Sequence, residues 1–233
     1  MDKNLSNLLK WGIENTKPQG ATAQGAAAAT NDTDGAAAAA PTGSNLNPEL
    51  LAALFGGPSE AELMKAAMEL ITDTSDPTIT LDDRLMAFDN FEQLIESLDN
   101  ANNLETLSLW PPLLDLLQHE EQDLRRMAAW CVGTAVQNNQ KTQERLLARG
   151  GLPRLVHLAT HDDEHEAVRR KAIYALSSAV RNYQPAMDVA AEELKKKGHE
   201  GLVDKVDASD MDAVDQIMNG LKAKAAAGGK GSA

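Results

Sequence analysis

The sequence is poor in cysteine, in positive charge and in long apolar runs, and each shortage excludes a class of protein. The single cysteine excludes an intrachain disulfide and favours a reducing compartment, the cytosol or the nucleus. The formal net charge of −13 argues against nucleic acid or an anionic membrane as the main partner, because both attract Lys and Arg. No window reaches the roughly 18 continuous apolar residues of a membrane helix, and residues 1–16 lack the cleavage site of a signal peptide. We expect a cytoplasmic monomer.

Aromatic residues are also scarce, at 3%, while Leu, Ala, Glu, Gln and Met are abundant, which is a helical composition. Ser59 with Glu62 predicts a capping box for a helix that ends near Thr72. Thr80 with Asp83 caps a second helix, which we expect to run toward Leu98 with an apolar stripe at helical spacing: Leu85, Phe88, Phe91, Leu94, Ile95 and Leu98. No segment alternates with a period of two, so we predict an all-α fold.

An internal repeat organises the ordered part of the chain. "WPPLLDLLQHEEQDLRRMAAWCVGTAVQNNQ" aligns with "LPRLVHLATHDDEHEAVRRKAIYALSSAVRNYQ", which places Arg125 and Arg169 at equivalent positions 44 residues apart. A helical repeat of about 40–47 residues is typical of armadillo and HEAT proteins. The stretch "ARGGLPRLVHL" predicts three helices per repeat, because the Gly150-Gly151 pair permits a sharp turn, Pro153 opens a short second helix and a long third helix begins near Glu166. Such repeats stack into an armadillo-like superhelical solenoid.

Composition divides the chain into five segments. A short amphipathic N-terminal segment (1–16) precedes a low-complexity Ala-rich linker (17–45), which we expect to be disordered. The armadillo-like repeat domain spans 46–190, a C-terminal helical segment spans 191–225, and a disordered tail (226–233) follows.

The third helix of each repeat is expected to line the concave side of the solenoid and to bind a partner protein. Spacings of i, i+3 and i+4 place three residues of each third helix on one face: Asp89, Gln93 and Glu96; Trp130, Thr134 and Gln137; Tyr174, Ser178 and Arg181. Trp130 and Tyr174 occupy the same repeat position. Aromatic residues on a polar face suit an interface, although burial between repeats explains them equally well.

No set of residues in the sequence predicts catalysis, a cofactor or a bound metal. His161 and His165 have i, i+4 spacing with acidic neighbours, but His119 occupies the equivalent segment one repeat earlier, which favours a loop over a metal site. Cys131 is interpreted as a small packed residue. "LKKKG" (194–198) is interpreted as a solvated helix end.

Several stretches together resemble the fungal armadillo-type nucleotide-exchange factors of heat-shock protein 70 chaperones, the Fes/HspBP type. They include "LLKWGIEN", "ELLAALFGGP", "AFDNFEQLIESLDNANN", "GTAVQNNQKTQE" and "KAIYALSSAVRNYQPAMD", and the resemblance covers residues 3–16 and 46–190. The family's activity implies a non-enzymatic cochaperone that binds the chaperone's nucleotide-binding domain and accelerates ADP release. Larger members carry about four repeats, whereas here the repeat after Asn182 degrades, so the distal part of the partner surface is expected to be missing or replaced.

The resemblance also implies that the amide-rich corner "LDNANN" contacts the chaperone. In that interpretation the small Ala101 permits close approach, and Asn100, Asn102 and Asn103 exchange hydrogen bonds with the partner. The alternative is that these amides cap the adjoining helices.

Two further alternatives stay open. The N-terminal stripe of Leu5, Leu8, Leu9, Trp11 and Ile13 could cap the repeats or act as a client-like segment that enters the chaperone's peptide groove. The competing function is a generic armadillo adaptor that binds a peptide along the concave face. That adaptor predicts an Asn ladder on the third helices, where this sequence has Thr134 and Ser178.

Overall fold

The computed structural model describes residues 57–199 and 206–228, and within them every regular element is helical. This confirms the all-α prediction. The α-helices are α1 (Glu60–Thr72), α2 (Leu81–Ile95), α3 (Leu98–Thr106), α4 (Trp110–Asp115), α5 (Gln122–Val136), α6 (Gln140–Ala148), α7 (Gly151–Thr160), α8 (Glu166–Val180), α9 (Gln184–Lys196) and α10 (Met211–Gly228), and a 3-10 helix (Leu116–Gln118) follows α4.

The two predicted capping boxes open α1 and α2. The Ser59 and Thr80 side chains accept hydrogen bonds from the third backbone N–H of their helices, and the Glu62 and Asp83 carboxylates accept from the capping residues in return. The predicted end of α2 is wrong, since the helix ends at Ile95. Leu98 begins α3 instead, with 58% of its surface exposed, so it is not a member of the α2 core stripe.

Two complete helix triplets follow α2 and confirm the predicted repeat. The first contains α3, α4 with its 3-10 extension, and α5; the second contains α6, α7 and α8. Their third helices begin at Gln122 and Glu166, 44 residues apart. The third helices α2, α5 and α8 pack side by side, and apolar residues that the alignment pairs are buried in both triplets: Trp110 with Leu152, Leu113 with Leu155, and Val136 with Val180.

Several turns between helices use left-handed backbone. Gly150, between α6 and α7, has φ +67°, as the glycine pair predicted. The chain leaves each third helix of the two triplets through an asparagine with positive φ, Asn138 at +52° and Asn182 at +56°. These two asparagines are equivalent in the repeat, and asparagine tolerates this conformation better than other residues that have a Cβ.

We expect Asn138→Ala to lower the free energy of unfolding by about 1 kcal/mol, because alanine pays the steric cost of left-handed backbone. Asn138→Gly should change it by less than about 0.5 kcal/mol, because glycine adopts this conformation freely. Urea unfolding followed by circular dichroism measures both, with Lys141→Ala on an exposed position of α6 as the control. Equal losses for the alanine and glycine variants would contradict the backbone argument.

In the described part of the degraded repeat after Asn182, two helices match the first and third helices of the earlier repeats. Helix α9 begins 44 residues after α6, and α10 begins 45 residues after α8. Helix α10 packs on α8, and five of its apolar residues are buried: Val214, Ile217, Met218, Leu221 and Ala225. The distal position is therefore filled by a diverged third helix.

The segment that leads into α10 is fixed to the start of α9. The backbone N–H of Asn182 donates to Ala208 O at 2.9 Å. The Gln184 side chain donates to Val206 O and accepts from the Ala208 N–H, both at 2.8 Å. No helix in the described ranges is long and apolar enough to cross a membrane.

Candidate partner-binding face

Side chains from α2, α5 and α8 form one continuous surface, which we call the third-helix face. We define it by the exposed or half-buried residues Met86, Asp89, Gln93 and Glu96 of α2 and its C-cap, Trp130, Thr134 and Gln137 of α5 and its C-cap, and Lys171, Tyr174 and Arg181 of α8 and its C-cap. Eight of the nine predicted stripe residues belong to it. The ninth, Ser178, is buried, so its side chain contributes little surface.

Helices α2 and α5 are joined across this face by a carboxylate. Glu92 is only 6% exposed, and its Oε1 accepts a hydrogen bond from Thr134 Oγ1 at 2.7 Å. Burial raises the pKa of Glu92, while the hydrogen bond from Thr134 lowers it in part and Glu96 raises it further. The Thr134 O–H donor is thus used within the molecule.

Helices α5 and α8 are joined by the two aromatic residues. Lys171 Nζ lies 3.6 Å from the centroid of the Trp130 ring. The Tyr174 hydroxyl donates to Gln137 Oε1 at 3.1 Å. The Tyr174 ring lies against Gly133, where a Cβ would come within 2.4 Å of Tyr174 Cε1. Trp130 and Tyr174 are both half-buried. The buried part of each ring packs between repeats, and the exposed part is open to a partner.

Arg181 is engaged by the diverged third helix. Its Nη2 forms an ion pair with Asp215 and its Nη1 lies 3.2 Å from Met211 Sδ, both on α10. Its Nε donates to Ser177 Oγ at 3.1 Å. The basic end of the third-helix face is therefore partly neutralised, whereas Asp89 and Glu96 are exposed at the acidic end.

The "LDNANN" segment is a helix rather than a corner, which corrects the predicted geometry. It forms most of α3, where Asn100 is 5% exposed and Ala101 is 3% exposed. Asn100 Nδ2 donates to Leu94 O at 2.9 Å, near the end of α2, and to Glu60 Oε2 at 2.7 Å. The capping interpretation is therefore confirmed for Asn100. Partner contact by this segment stays a prediction, and its surface comes from the half-buried Asn102 and the exposed Asn103.

The histidines and the cysteine that we considered as candidates for chemistry make contacts that stabilise the fold. His165 caps α8, its Nδ1 accepting from the Ala167 N–H at 3.3 Å, and His119 Nδ1 accepts from the Glu121 N–H at 2.9 Å. The interpretation of these histidines as inter-helix residues is confirmed. Cys131 is fully buried in α5, and burial raises the pKa of its thiol well above the usual value, so it is a packed residue.

Sequence reasoning missed Glu92, Gly133 and Lys171. Each lies beside or one turn from a predicted residue, Lys171 three positions before Tyr174 and Glu92 directly before Gln93. The i, i+3 spacing from Tyr174 was the available signal for Lys171. The N-terminal stripe residues Leu5, Leu8, Leu9, Trp11 and Ile13 lie outside the described residues, and their role stays a prediction.

Comparison with known proteins gives matches along most of the chain. The family model "Nucleotide exchange factor Fes1" matches residues 5–104, and the model "SIL1/FES1/HPBP1 C-terminal domain" matches residues 100–204.

Among curated proteins, the chain is similar to the Hsp70 nucleotide exchange factor FES1 of Gibberella zeae, with 62% identity over 96% of this chain and 97% of that protein. The Neurospora crassa protein fes-1 is 61% identical over 97% of this chain and 99% of its own length, and the Coccidioides immitis FES1 is 47% identical over 95% and 98%. An engineered protein of known structure covers 77% of this chain and 72% of its own, with a TM-score of 0.47 and 18% identity, which is too weak a likeness to support an argument.

Proposed function

Because the chain belongs to the Fes1 family of nucleotide exchange factors, we propose that it binds the nucleotide-binding domain of an Hsp70 chaperone and accelerates release of ADP. The observation that carries this proposal is the high identity along nearly the whole length of relatives named as Hsp70 nucleotide exchange factors. The partner is a cytosolic Hsp70, the chain acts as a monomer, and faster ADP release promotes client release and refolding.

The third-helix face is the proposed binding surface. It offers two half-buried aromatic residues, Trp130 and Tyr174, beside Met86, which is 60% exposed. Aromatic and methionine side chains are enriched in protein interfaces. The exposed Asp89 and Glu96 make one end of the face acidic, so the matching chaperone surface carries basic side chains there.

The proposed exchange needs no catalytic group in this chain. An exchange factor acts by binding the nucleotide-free arrangement of the chaperone more tightly than the ADP-bound one, so its effect is a difference in binding free energy. The contacts of the third-helix face are packing and hydrogen-bonding contacts that hold a surface in place. We therefore propose that the chain is a cochaperone and not an enzyme.

Stopped-flow release of a fluorescent ADP analogue from a cytosolic Hsp70 tests this function. We expect the wild-type chain at saturating concentration to accelerate release and to lower the affinity of Hsp70 for ADP by roughly 5- to 150-fold, the usual range of coupling between two sites. Asp89→Arg should raise the concentration needed for half-maximal acceleration roughly tenfold, because it reverses a charge within the proposed interface.

Glu144→Arg is the matched control, since it makes the same kind of charge change at an exposed position of α6, outside the third-helix face. It should behave as the wild type. Asn103→Arg tests contact by α3 at an exposed position, whereas a substitution of the buried Ala101 would perturb the fold. No acceleration by the wild-type chain would overturn the proposed function, and equal effects of Asp89→Arg and Glu144→Arg would move the binding surface elsewhere.

A further inference from the structure

Lys171 joins the two aromatic residues of the third-helix face. Its Nζ lies 3.6 Å from the centroid of the Trp130 ring and 5.8 Å from that of the Tyr174 ring. Both distances lie within the roughly 6 Å over which a cation is attracted to an aromatic face. Lys171 is on α8 and Trp130 is on α5, so the contact also crosses from one repeat to the next.

The two rings are held in different ways. Tyr174 is held by two contacts: its ring packs against Gly133, and its hydroxyl donates a hydrogen bond to Gln137 Oε1. For Trp130, the polar contact found among the described residues is the Lys171 ammonium group. Removing the Lys171 ammonium group therefore keeps the contacts of Tyr174 with Gly133 and Gln137, but it removes the cation–aromatic contact of Trp130.

Charged groups on two neighbouring helices act on the Lys171 ammonium group. Burial is the largest cause and lowers the pKa of the Lys171 ammonium group overall, Arg126 on α5 lowers it further, and the buried carboxylate of Glu92 on α2 opposes them in part. Glu92 is itself fixed by Thr134, one turn along α5 from Trp130. The carboxylate on α2 thus attracts an ammonium group that belongs to α8.

We propose that Lys171 is a positioning residue that holds the Trp130 ring in the orientation the partner contacts. Lys171 acts through Trp130 rather than by touching the partner. The proposal rests on the proposed function, because it assumes that the third-helix face binds the chaperone.

A double-mutant cycle on exchange activity separates this role from direct contact. Lys171→Met keeps the apolar stem but removes the charge, and it should raise the concentration for half-maximal ADP release roughly fivefold, given the usual strength of a cation–aromatic contact. Lys171→Arg keeps a cation over the ring and should stay within about twofold of the wild type. In a Trp130→Ala background, Lys171→Met should have no further effect, because the residue through which Lys171 acts is gone.

Lys222→Met serves as the control, since it removes the same charge at an exposed position of α10. Circular dichroism checks that each variant is folded. The intrinsic tryptophan fluorescence of the free protein gives a second readout: Lys171→Met should change the emission spectrum when Trp130 is present and leave it unchanged in the Trp130→Phe background.

Two results would overturn the inference while leaving the proposed function intact. One is wild-type exchange activity and fluorescence for Lys171→Met. The other is an undiminished effect of Lys171→Met in the Trp130→Ala background, which would mean that Lys171 contacts the partner itself. If the wild-type chain failed to accelerate ADP release, the proposed function would be wrong. The fluorescence measurement alone would then show whether Lys171 fixes the orientation of Trp130.

Discussion

Replacing Glu164 with glutamine should lower the free energy of unfolding at pH 7 by roughly 3 kcal/mol, because it leaves a largely buried guanidinium without its countercharge. Arg125 Nε and Nη2 donate to the two carboxylate oxygens of Glu164 at 2.7 and 2.9 Å. The side chains are 18% and 8% exposed, so water screens the pair only weakly.

The same ion pair joins two segments that precede third helices. Arg125 Nη1 donates to His119 O and Glu120 O, each at 2.7 Å, and the Glu164 carboxylate also accepts from the His165 N–H at 2.8 Å. The ion pair therefore joins the segment before α5 to the segment before α8. Asp163→Asn provides the control, since it removes a carboxylate charge at the exposed neighbouring position. A loss no larger than that of Asp163→Asn would contradict the argument.

The effect of Glu164→Gln should depend on pH in a defined direction. Burial raises the pKa of Glu164, but the hydrogen bond from Arg125, the His165 N–H and the charge of Arg125 outweigh burial and lower it overall. A carboxyl group whose folded-state pKa is lowered contributes stability above its unfolded pKa of about 4.3 and loses it as the pH falls through the folded-state value. The difference in unfolding free energy between wild type and Glu164→Gln should be constant from pH 7 to about 5 and shrink below about 4.

Features that depend on neighbouring residues in the sequence could be predicted. The capping boxes at Ser59 and Thr80 involve residues three positions apart, and the left-handed turn at Gly150 needs only the absence of a Cβ. The repeat was also visible, because equivalent core positions such as Trp110 and Leu152 bury apolar side chains in both triplets.

The helical state of "LDNANN" could not be predicted from propensity, because asparagine is a poor helix former. Packing decides the outcome there. Ala101 and Leu104 are buried on one side of α3, and Asn100 contributes by capping the end of α2. Tertiary contacts therefore override the local preference of three asparagines.

The third-helix face could be located from the sequence, but its internal contacts could not. Helical spacing identifies which residues share a face of one helix. It does not give the register between helices, which sets whether Lys171 of α8 lies over Trp130 of α5 or whether Glu92 of α2 reaches Thr134. The inter-helix contacts therefore came from the structure alone.

ADP should weaken the binding of this chain to Hsp70 by the same factor by which the chain weakens the binding of ADP. This reciprocity follows from thermodynamic linkage, whatever the contacts that produce it. For the proposed function we expect a factor of roughly 5 to 150, equal to about 1–3 kcal/mol of coupling. Calorimetric titration of the chain into nucleotide-free and ADP-saturated Hsp70 gives one side of the equality, and ADP titration with and without saturating chain gives the other.

Variants of the third-helix face can then be divided into those that change the affinity for Hsp70 and those that change the coupling factor. If Asp89 contacts a chaperone surface that is the same in both nucleotide states, Asp89→Arg weakens both affinities equally and leaves the coupling factor unchanged. If Trp130 contacts a surface available only in the nucleotide-free state, Trp130→Ala lowers the factor itself, because the contact it removes is the one that distinguishes the states. Equal affinity of the wild-type chain for both states would exclude exchange by differential binding, since a ligand without a preference shifts no equilibrium.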